Sequence, residues 1–307
     1  MPLPDDSSLE PAALRAVEQR ARAVLERSDA WGRFPTPVDD VLAAAKLRVA
    51  PTSMFDPGRL VAYLRDKANE TARSLKSAIS KVLGIYDAGE QVIHIDDSVG
   101  VTRQTFLKLH ETGHHEMPTH RKLFSLFQDC EKTLAPEIAD QFEREANNFA
   151  RFALFQGDAY MKQAADMPCE LKTTRSLAKV FGASLYASAR EFVRTHHRAC
   201  AVFVLDPLAA GQVGPITVRR IEASSSYAML YGRPSISTIG PDHPLWPVLP
   251  WGRRVTRPMG IGMRDPAGAL HECIAEAFDT TFNILILVVP VKALTTTSII
   301  LPSDVSA

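Results

Sequence analysis

Residues Thr105 to His114 have the sequence Thr-Phe-Leu-Lys-Leu-His-Glu-Thr-Gly-His. The last five, His110-Glu111-Thr112-Gly113-His114, are the most informative residues for predicting the fold. On an α-helix, residues four apart lie on one face, so the two imidazoles are neighbours one turn apart. Two imidazoles at this spacing are typical of zinc sites, and the carboxylate between them can take a proton from metal-bound water. The motif therefore predicts a zinc hydrolase site with His110 and His114 as metal ligands and Glu111 as catalytic base.

The flanking residues favour a helix around this motif. Thr102 is a suitable N-cap, the segment 103–116 contains no proline, and Pro118 follows it. A helix of about four turns is expected, with Phe106 on the same face as the two histidines. Gly113 costs the helix roughly 1 kcal/mol relative to alanine, so we expect a close neighbour there, and a metal pocket would supply one. A surface helix with a histidine-rich end is the alternative.

A third metal ligand is expected on a second helix, Pro136 to Phe155, because catalytic zinc sites use three protein ligands and leave one position for water. Glu143 and Glu145 are both candidates, since both flank the apolar stripe of this helix. Glu143 is preferred because Asn147, one turn later, is placed to hydrogen-bond a metal-bound imidazole. The predicted stripe consists of Ile138, Phe142, Ala146, Phe149 and Ala153.

Composition and charge restrict the class of protein. The chain has 307 residues, 46% hydrophobic and 23% charged, so it is long enough to form two domains with buried cores. Its formal net charge is zero, which gives no overall attraction to nucleic acid or to anionic membranes. The four cysteines form no C-x-x-C pair, the start is not a signal peptide, and no apolar run approaches the ~20 residues of a membrane span. A soluble cytoplasmic protein is expected.

Ahead of the motif helix, two short apolar segments, 83–86 and 91–95, flank Asp87-Ala88-Gly89-Glu90. This pattern predicts a β-hairpin with its turn at Gly89. A strand in this position would hold an extended peptide substrate by edge pairing. Further upstream, one helix is predicted from Pro11 to Arg27 and another after Pro37.

The middle segment, Leu171 to Arg194, reads as two helices joined by a turn at Gly182, which is the shape of a helix-turn-helix. Bracing of the peptidase domain is preferred over DNA contact, because the second helix offers few donors for reading bases. Beyond it, short strands separated by glycine and proline clusters predict a separate α/β or antiparallel domain. The predicted strands are 201–205, 216–221, 269–278 and 283–289.

Basic and aromatic side chains in the C-terminal region form a further candidate site. Arg253, Arg254 and Arg257, with Trp246 and Trp251 nearby, could stack on single-stranded nucleic acid and neutralise its charge. Basic and acidic residues balance in this region, which argues against binding driven by charge alone. A structural role or another ligand is the alternative.

Cys130 lies between the two helices that would carry the metal ligands. A thiolate binds zinc better than water does, so this residue could hold the enzyme inactive by occupying the open metal position. The alternative is an inert, buried apolar side chain.

Two blocks of the sequence resemble the metallopeptidases typified by ImmA and IrrE. They are Thr105 to His114, quoted above, and Glu143-Arg144-Glu145-Ala146-Asn147-Asn148-Phe149-Ala150, which are similar to the F-x-x-x-H-E-x-G-H and E-x-E-A-N-x-F-A helices of that family. Residues 223–226 and 242–244 look like parts of the GAF-like domain of the IrrE branch. The chain departs from the family at Lys108-Leu109 and at residues 153–156, and neither departure touches a ligand.

The resemblance implies an α+β protein in three parts: a zincin-like metallopeptidase domain at 1–165, a helical HTH-like segment at 166–198 and a GAF-like sensor domain at 199–307. It implies a zinc-dependent, gluzincin-like endopeptidase that cleaves a helix-turn-helix transcriptional repressor and thereby switches on stress, DNA-damage or phage-defence genes. The expected cofactor is Zn²⁺, and single-stranded nucleic acid is a possible activator. The competing class is a DNA-binding transcriptional regulator whose zinc site is not catalytic.

Overall fold

The computed structural model describes residues 7–50, 84–87, 91–95, 99–120, 136–209, 211 and 214–292. The chain divides into two compact units, each with its own internal packing. The first comprises Met1–Ala159 with Val180–Ala183, and the second comprises Tyr160–Lys179 with Ser184–Ala307. Helices and antiparallel strands are both present, so the expected mixture of α and β structure is confirmed.

Among the residues that the structure describes, the first unit is mainly helical. Its elements are α1 (Pro11–Arg27), α2 (Val38–Ala44), β1 (Arg48–Val49), β2 (Gly84–Asp87), β3 (Val92–Ile95), α3 (Val101–Glu116) and α4 (Pro136–Phe155). The two longest helices of this unit in the described residues, α1 and α4, have the predicted bounds. Proline stands at the first position of each, where its missing N–H costs no hydrogen bond.

The predicted hairpin is present directly ahead of α3. Strands β2 and β3 are antiparallel, with Gly84 opposite Ile95, and β1 pairs in parallel on the other side of β3. Ile93 and Ile95 of β3 are buried against Leu42 and Leu47. This small core anchors the strand that leads into α3.

Helix α3 begins earlier than predicted and ends as predicted. The N-cap is Gly100, so Thr102 lies inside the helix and its prediction as N-cap is wrong. The carbonyl of Gly100 accepts the first helical hydrogen bonds, from the backbone N–H groups of Arg103 and Gln104. At the other end, Met117 has extended backbone, as expected for a residue before proline.

Gly113 of α3 packs tightly against Phe149 of α4. A Cβ at Gly113 would lie 3.1 Å from Phe149 Cβ and 3.2 Å from two atoms of its ring. The close neighbour predicted at Gly113 is therefore a phenylalanine of α4, whereas a metal pocket was expected. Ile138 is 42% exposed, so the predicted stripe is wrong at its first position, in the first turn of α4. The other four stripe residues are buried: Phe142, Ala146, Phe149 and Ala153.

The second unit contains a six-stranded antiparallel sheet with helices before and within it. Its elements are α5 (Ala159–Ala164), α6 (Leu171–Phe181), α7 (Leu185–Thr195), β4 (Ala201–Leu205), β5 (Ile216–Ala223), α8 (Ser225–Tyr231), β6 (Thr238–Ile239), a 3₁₀ turn (Trp246–Val248), β7 (Met259–Arg264), β8 (Leu270–Asp279) and β9 (Ile284–Pro290). The strand order is β6-β5-β4-β9-β8-β7. The four predicted strands are all present, whereas β6, β7 and α8 were not predicted.

The centre of this sheet explains the two most apolar segments of the chain. Every residue of β4 and β9 is buried, and the two strands pair with each other. Strands covered on both faces lose the alternation of polar and apolar residues. This is why β4 and β9 read as continuous apolar runs.

Helix α7 packs on the sheet of the second unit. Ser184 caps it by accepting a hydrogen bond from the Ala187 N–H at 3.1 Å. Arg190 and Arg194 both donate to the carboxylate of Glu222 on β5, at 2.7–3.0 Å. These contacts hold α7 against this sheet. The turn between α6 and α7, Val180–Ala183, belongs to the first unit, where Phe181 packs on Phe34 with ring centroids 4.8 Å apart.

Within the described part of the chain, no helix combines the length and the apolar character that crossing a lipid bilayer requires.

Candidate metal centre

The motif histidines lie in the buried half of α3. All residues from Leu109 to His115 are buried, so this end of the helix is not a solvent-facing surface. Phe106 lies on the same face, with its ring centroid 6.3 Å from that of His110. His110 and His114 therefore lie on the buried face of α3, as their spacing predicts.

Glu143 meets both histidines from the neighbouring helix α4. The two Nε2 atoms of His110 and His114 are 3.2 Å apart. Glu143 Oε2 lies 3.3 Å from His110 Nε2, and its Oε1 lies 3.5 Å from His114 Nε2. One nitrogen of each histidine and a carboxylate oxygen of Glu143 thus lie within 4.8 Å of one another, and these residues form a group that could hold a metal ion.

The spacing of these atoms fits zinc. With bonds of about 2.0–2.1 Å in a tetrahedral site, neighbouring ligand atoms are about 3.3 Å apart. The observed separations of 3.2, 3.3 and 3.5 Å agree with that value. Two imidazoles and one carboxylate are a donor set of catalytic zinc sites, and they leave a fourth position for water. The Glu143 side chain is partly exposed, whereas both imidazoles are buried.

Burial and neighbouring charges set the protonation of the three groups. Burial lowers the pKa of His110, but the hydrogen bond and the charge of Glu143 outweigh it and raise the pKa overall. Burial lowers the pKa of His114 to about 4. Burial raises the pKa of the Glu143 carboxyl, but the hydrogen bonds with the two histidines bring it well below its usual range. At pH 7 His114 is therefore neutral and Glu143 is anionic, which are the forms that bind a cation.

Glu145, the other acidic candidate, is engaged elsewhere. Its carboxylate accepts a hydrogen bond from His120 Nε2 at 2.8 Å and another from the Gln141 amide at 2.8 Å. These contacts hold the pKa of Glu145 below its ordinary value although burial acts to raise it. Of the two candidates, the structure brings Glu143 to the histidine pair.

His120 links Glu145 to a metal-ligand candidate. Its Nδ1 lies 3.1 Å from His114 Nδ1, while its Nε2 donates to Glu145. Because the carboxylate can only accept, the neutral His120 ring carries its hydrogen on Nε2 and accepts at Nδ1 from His114. This tautomer directs the lone pair of His114 Nε2 toward the metal position. Sequence reasoning gave His120 no role, because it lies beyond Pro118 and outside the periodicity of α3.

Glu111 and Asn147 complete the surroundings of His110. Both side chains are buried. The charge of Glu111 and the side chain of Asn147 both contribute to the raised pKa of His110. Asn147 thus contacts an imidazole, as expected from its position one turn after Glu143.

The structure brings some of the C-terminal basic and aromatic residues together, but not all of them. The rings of Trp246 and Trp251 are 5.0 Å apart, and Trp251 is 39% exposed. Trp251, Arg253 and Arg254 line a cavity of about 650 Å³ in the second unit. Arg257 is not among the residues that line this cavity.

The predicted zinc-binding switch at Cys130 lies outside the described residues.

Comparison with known proteins finds a family model that matches part of the chain and solved structures with a similar fold. Residues 66–192 match the Peptidase_M78 family model, described as the IrrE N-terminal-like domain. The chain is also similar to a solved structure of a Mycobacterium tuberculosis transcriptional regulator, with a TM-score of 0.50 and 14% identity over 89% of this chain and 75% of that chain. At this identity the similarity concerns the fold alone. No curated protein matches the chain. Peptidase_M78 is a peptidase family, and the match, which spans α3 and α4, supports the resemblance of this chain to the ImmA/IrrE family.

Proposed function

We propose that the protein is a zinc-dependent endopeptidase that cleaves a helix-turn-helix transcriptional repressor at a specific site. The convergence of His110, His114 and Glu143 carries this proposal, because it supplies three zinc ligands at tetrahedral spacing and a fourth open position. The family match supports the peptidase class. The repressor substrate comes from the resemblance to ImmA and IrrE, in which such cleavage switches on stress, DNA-damage or phage-defence genes.

In this proposal each residue of the site has a distinct task. His110, His114 and Glu143 hold the zinc, which when bound lowers the pKa of a water molecule and polarises the scissile carbonyl. Glu111 is buried beside His110, where it accepts the proton of the attacking water and passes it to the leaving amine.

The substrate would be held as an extended strand. Strand β3 pairs on both sides, with β1 and with β2, so its edges are occupied. Strand β2 is the outer strand of the hairpin within the described sheet, and its edge is the place for a peptide to pair by backbone hydrogen bonds.

Glu111→Gln separates catalysis from metal binding. The amide keeps the size of the side chain but cannot accept the proton, so cleavage should fall by about 10²–10⁴-fold. Zinc content, measured by elemental analysis, should be unchanged. The substrate to test is a small helix-turn-helix protein encoded beside this gene, and casein serves as the control for general proteolysis.

The alternative function is a DNA-binding regulator with a non-catalytic zinc site. It predicts that Glu111→Gln leaves the change in gene expression intact, whereas the peptidase proposal predicts its loss. Digestion of casein at many sites would instead indicate a turnover protease. Cleavage of the repressor at one bond by the wild type alone supports the proposal.

We further propose that the sheet of the second unit is a GAF-like sensor and that single-stranded nucleic acid contacts its basic and aromatic cavity. The grouping of Trp251, Arg253 and Arg254 around that cavity supports this. A single-stranded oligonucleotide should quench tryptophan fluorescence and stimulate cleavage. The double variant Arg253→Glu/Arg254→Glu should abolish both effects, while Arg257→Glu, outside the cavity lining, should retain them.

A further inference from the structure

Two cysteines in the second unit come together outside the candidate metal centre. Cys169 lies just before α6, and Cys200 lies just before β4. Both are free thiols, with Cys169 partly exposed and Cys200 buried. Each thiol is among the groups that shift the pKa of the other, so the two side chains lie close together. Tertiary structure therefore forms a thiol pair from residues that are distant in sequence.

A histidine with a fixed orientation faces this pair. Both ring nitrogens of His196 lie 3.7 Å from Cys169 Sγ. The backbone N–H of Arg198 donates to His196 Nδ1 at 3.0 Å. Since Nδ1 accepts, the neutral ring carries its hydrogen on Nε2 and can donate it to the sulfur. His196 is itself buried, with its ring 4.6 Å from those of Phe192 and His197.

The two thiols differ in acidity for identifiable reasons. The hydrogen bond from Cys200, together with that from His196 and the charge of Arg198, lowers the pKa of Cys169 to about 5 although burial acts to raise it. The contact with Cys169 and burial both raise the pKa of Cys200. At pH 7 the pair therefore consists of a thiolate on Cys169 and a thiol on Cys200. Thiolates, and not thiols, are the reactive form of cysteine.

Cys200 is held firmly by backbone contacts. Its N–H donates to Ser224 Oγ at 3.1 Å, and its carbonyl accepts from the Ser224 N–H at 2.9 Å. Ser224 is also the N-cap of α8. Cys169 is partly exposed and can meet a reagent from solvent, while these bonds fix the backbone of the buried Cys200.

We propose that Cys169 and Cys200 are a peroxide-reactive pair that is oxidised to a disulfide. The Cys169 thiolate attacks one oxygen of hydrogen peroxide, the O–O bond breaks, and hydroxide leaves and takes a proton to become water. This step forms a sulfenic acid on Cys169. The Cys200 sulfur then attacks the Cys169 sulfur as its proton is lost, the S–O bond breaks, and a second water leaves. Two thiols are oxidised by two electrons, and peroxide is reduced to water.

The wild-type chain itself tests the reactivity. At pH 6, iodoacetamide should alkylate Cys169 at least about tenfold faster than Cys273, because the thiolate is the nucleophile and the pKa of the buried Cys273 is raised to about 11. After treatment with hydrogen peroxide, peptide mapping under non-reducing conditions should show Cys169 joined to Cys200. Equal alkylation rates, or a disulfide between other cysteines, would overturn the proposal.

Two variants assign the roles within the pair. Cys200→Ser should stop disulfide formation and leave a sulfenic acid on Cys169 that dimedone traps. Cys169→Ser should give neither product. His196→Asn should slow the alkylation of Cys169, since it removes the ring beside the sulfur. A Cys200→Ser protein that shows no dimedone adduct on Cys169, while its circular dichroism matches that of the wild type, would contradict the order of steps.

Discussion

The orientation of His114 depends on a residue outside the motif. His120 contacts His114 on one side and Glu145 on the other, at 3.1 and 2.8 Å, and its ring stacks on Phe142 with centroids 3.9 Å apart. Partners of this kind fix the tautomer of a metal-binding imidazole and its direction. His120 is therefore a positioning residue for the proposed zinc site.

His120→Phe separates this positioning role from packing. The phenyl ring can still stack on Phe142 but cannot accept a hydrogen bond, so zinc affinity should fall by about 10–100-fold. His120→Asn keeps an acceptor and should recover part of the loss. Competition with a zinc chelator measures the affinity. Equal affinities for His120→Phe and the wild type would rule out the positioning role.

Substitution of the two acidic candidates for the third ligand should have different effects on zinc binding. Glu143→Gln removes a direct ligand, and we expect it to abolish stable zinc binding. Glu145→Gln acts only through His120, so we expect a loss of about tenfold. Zinc content after dialysis distinguishes the two. The assignment would be reversed if Glu145→Gln lost the metal and Glu143→Gln kept it.

At the level of elements, the metal centre depends on the spacing between α3 and α4. Gly113→Ala would gain roughly 1 kcal/mol of helix propensity. The new methyl group would, however, lie 3.1 Å from Phe149 Cβ, an atom that cannot rotate away from the α4 backbone. We expect a net loss of about 1–3 kcal/mol of stability from overpacking, and weaker zinc binding because α4 carries Glu143.

Gly100→Ala is the matched control for this prediction. It changes the same residue type at the start of the same helix, where no atom lies within 4 Å of the new Cβ. Thermal unfolding should show the larger loss for Gly113→Ala, because Gly100→Ala weakens only the N-cap, and chelator competition should show a defect for Gly113→Ala alone. A Gly113→Ala protein as stable as the wild type would show that α3 and α4 can separate without cost.

The contact between α7 and β5 should make stability depend on pH. Burial raises the pKa of Glu222, but the charges and hydrogen bonds of Arg194 and Arg190 lower it to about 2, below its ordinary 4.5. A carboxyl whose pKa is lower in the folded state stabilises the fold above its unfolded pKa. Roughly 3 kcal/mol should therefore be present above about pH 4.5 and lost progressively as the pH falls toward 2.

Urea unfolding between pH 7 and pH 3 measures this contribution. Glu222→Gln should flatten the dependence on pH in the acid range and lower the stability at pH 7. Glu272→Gln, on the exposed side of β8, is the control and should follow the wild type. If Glu222→Gln kept the full slope, another carboxyl would have to account for it.

At the level of the whole molecule, the two compact units should respond differently to the metal. All three proposed ligands lie in the first unit, on α3 and α4. A ligand that binds only the folded state stabilises it by about 2.7 kcal/mol when its concentration is 100 times its dissociation constant. Removing zinc with a chelator should thus increase amide hydrogen exchange in α3 and α4. The strands β4 to β9 should be unchanged, and an equal increase in both units would contradict this.

Much of the secondary structure was determined by the sequence itself. The bounds of α1 and α4 were predicted from the sequence, where a proline stands at the first position of each helix and an apolar stripe follows along α4. The strands β4 and β9 follow from continuous apolar runs. The positions of His110 and His114 on one face of α3 follow from their spacing. These features depend on backbone geometry and on neighbours within a few residues, which a sequence displays directly.

Tertiary structure alone decided which distant side chains meet. Glu143 and Glu145 flank the same apolar stripe, and only the rotation of α4 against α3, set where Phe149 covers Gly113, brings Glu143 to the histidines. The partners of Glu222 on α7 and the pairing of Cys169 with Cys200 arise in the same way. Contacts of this kind depend on how whole elements pack, because burial and shape fix the approach of two helices while no local pattern records it.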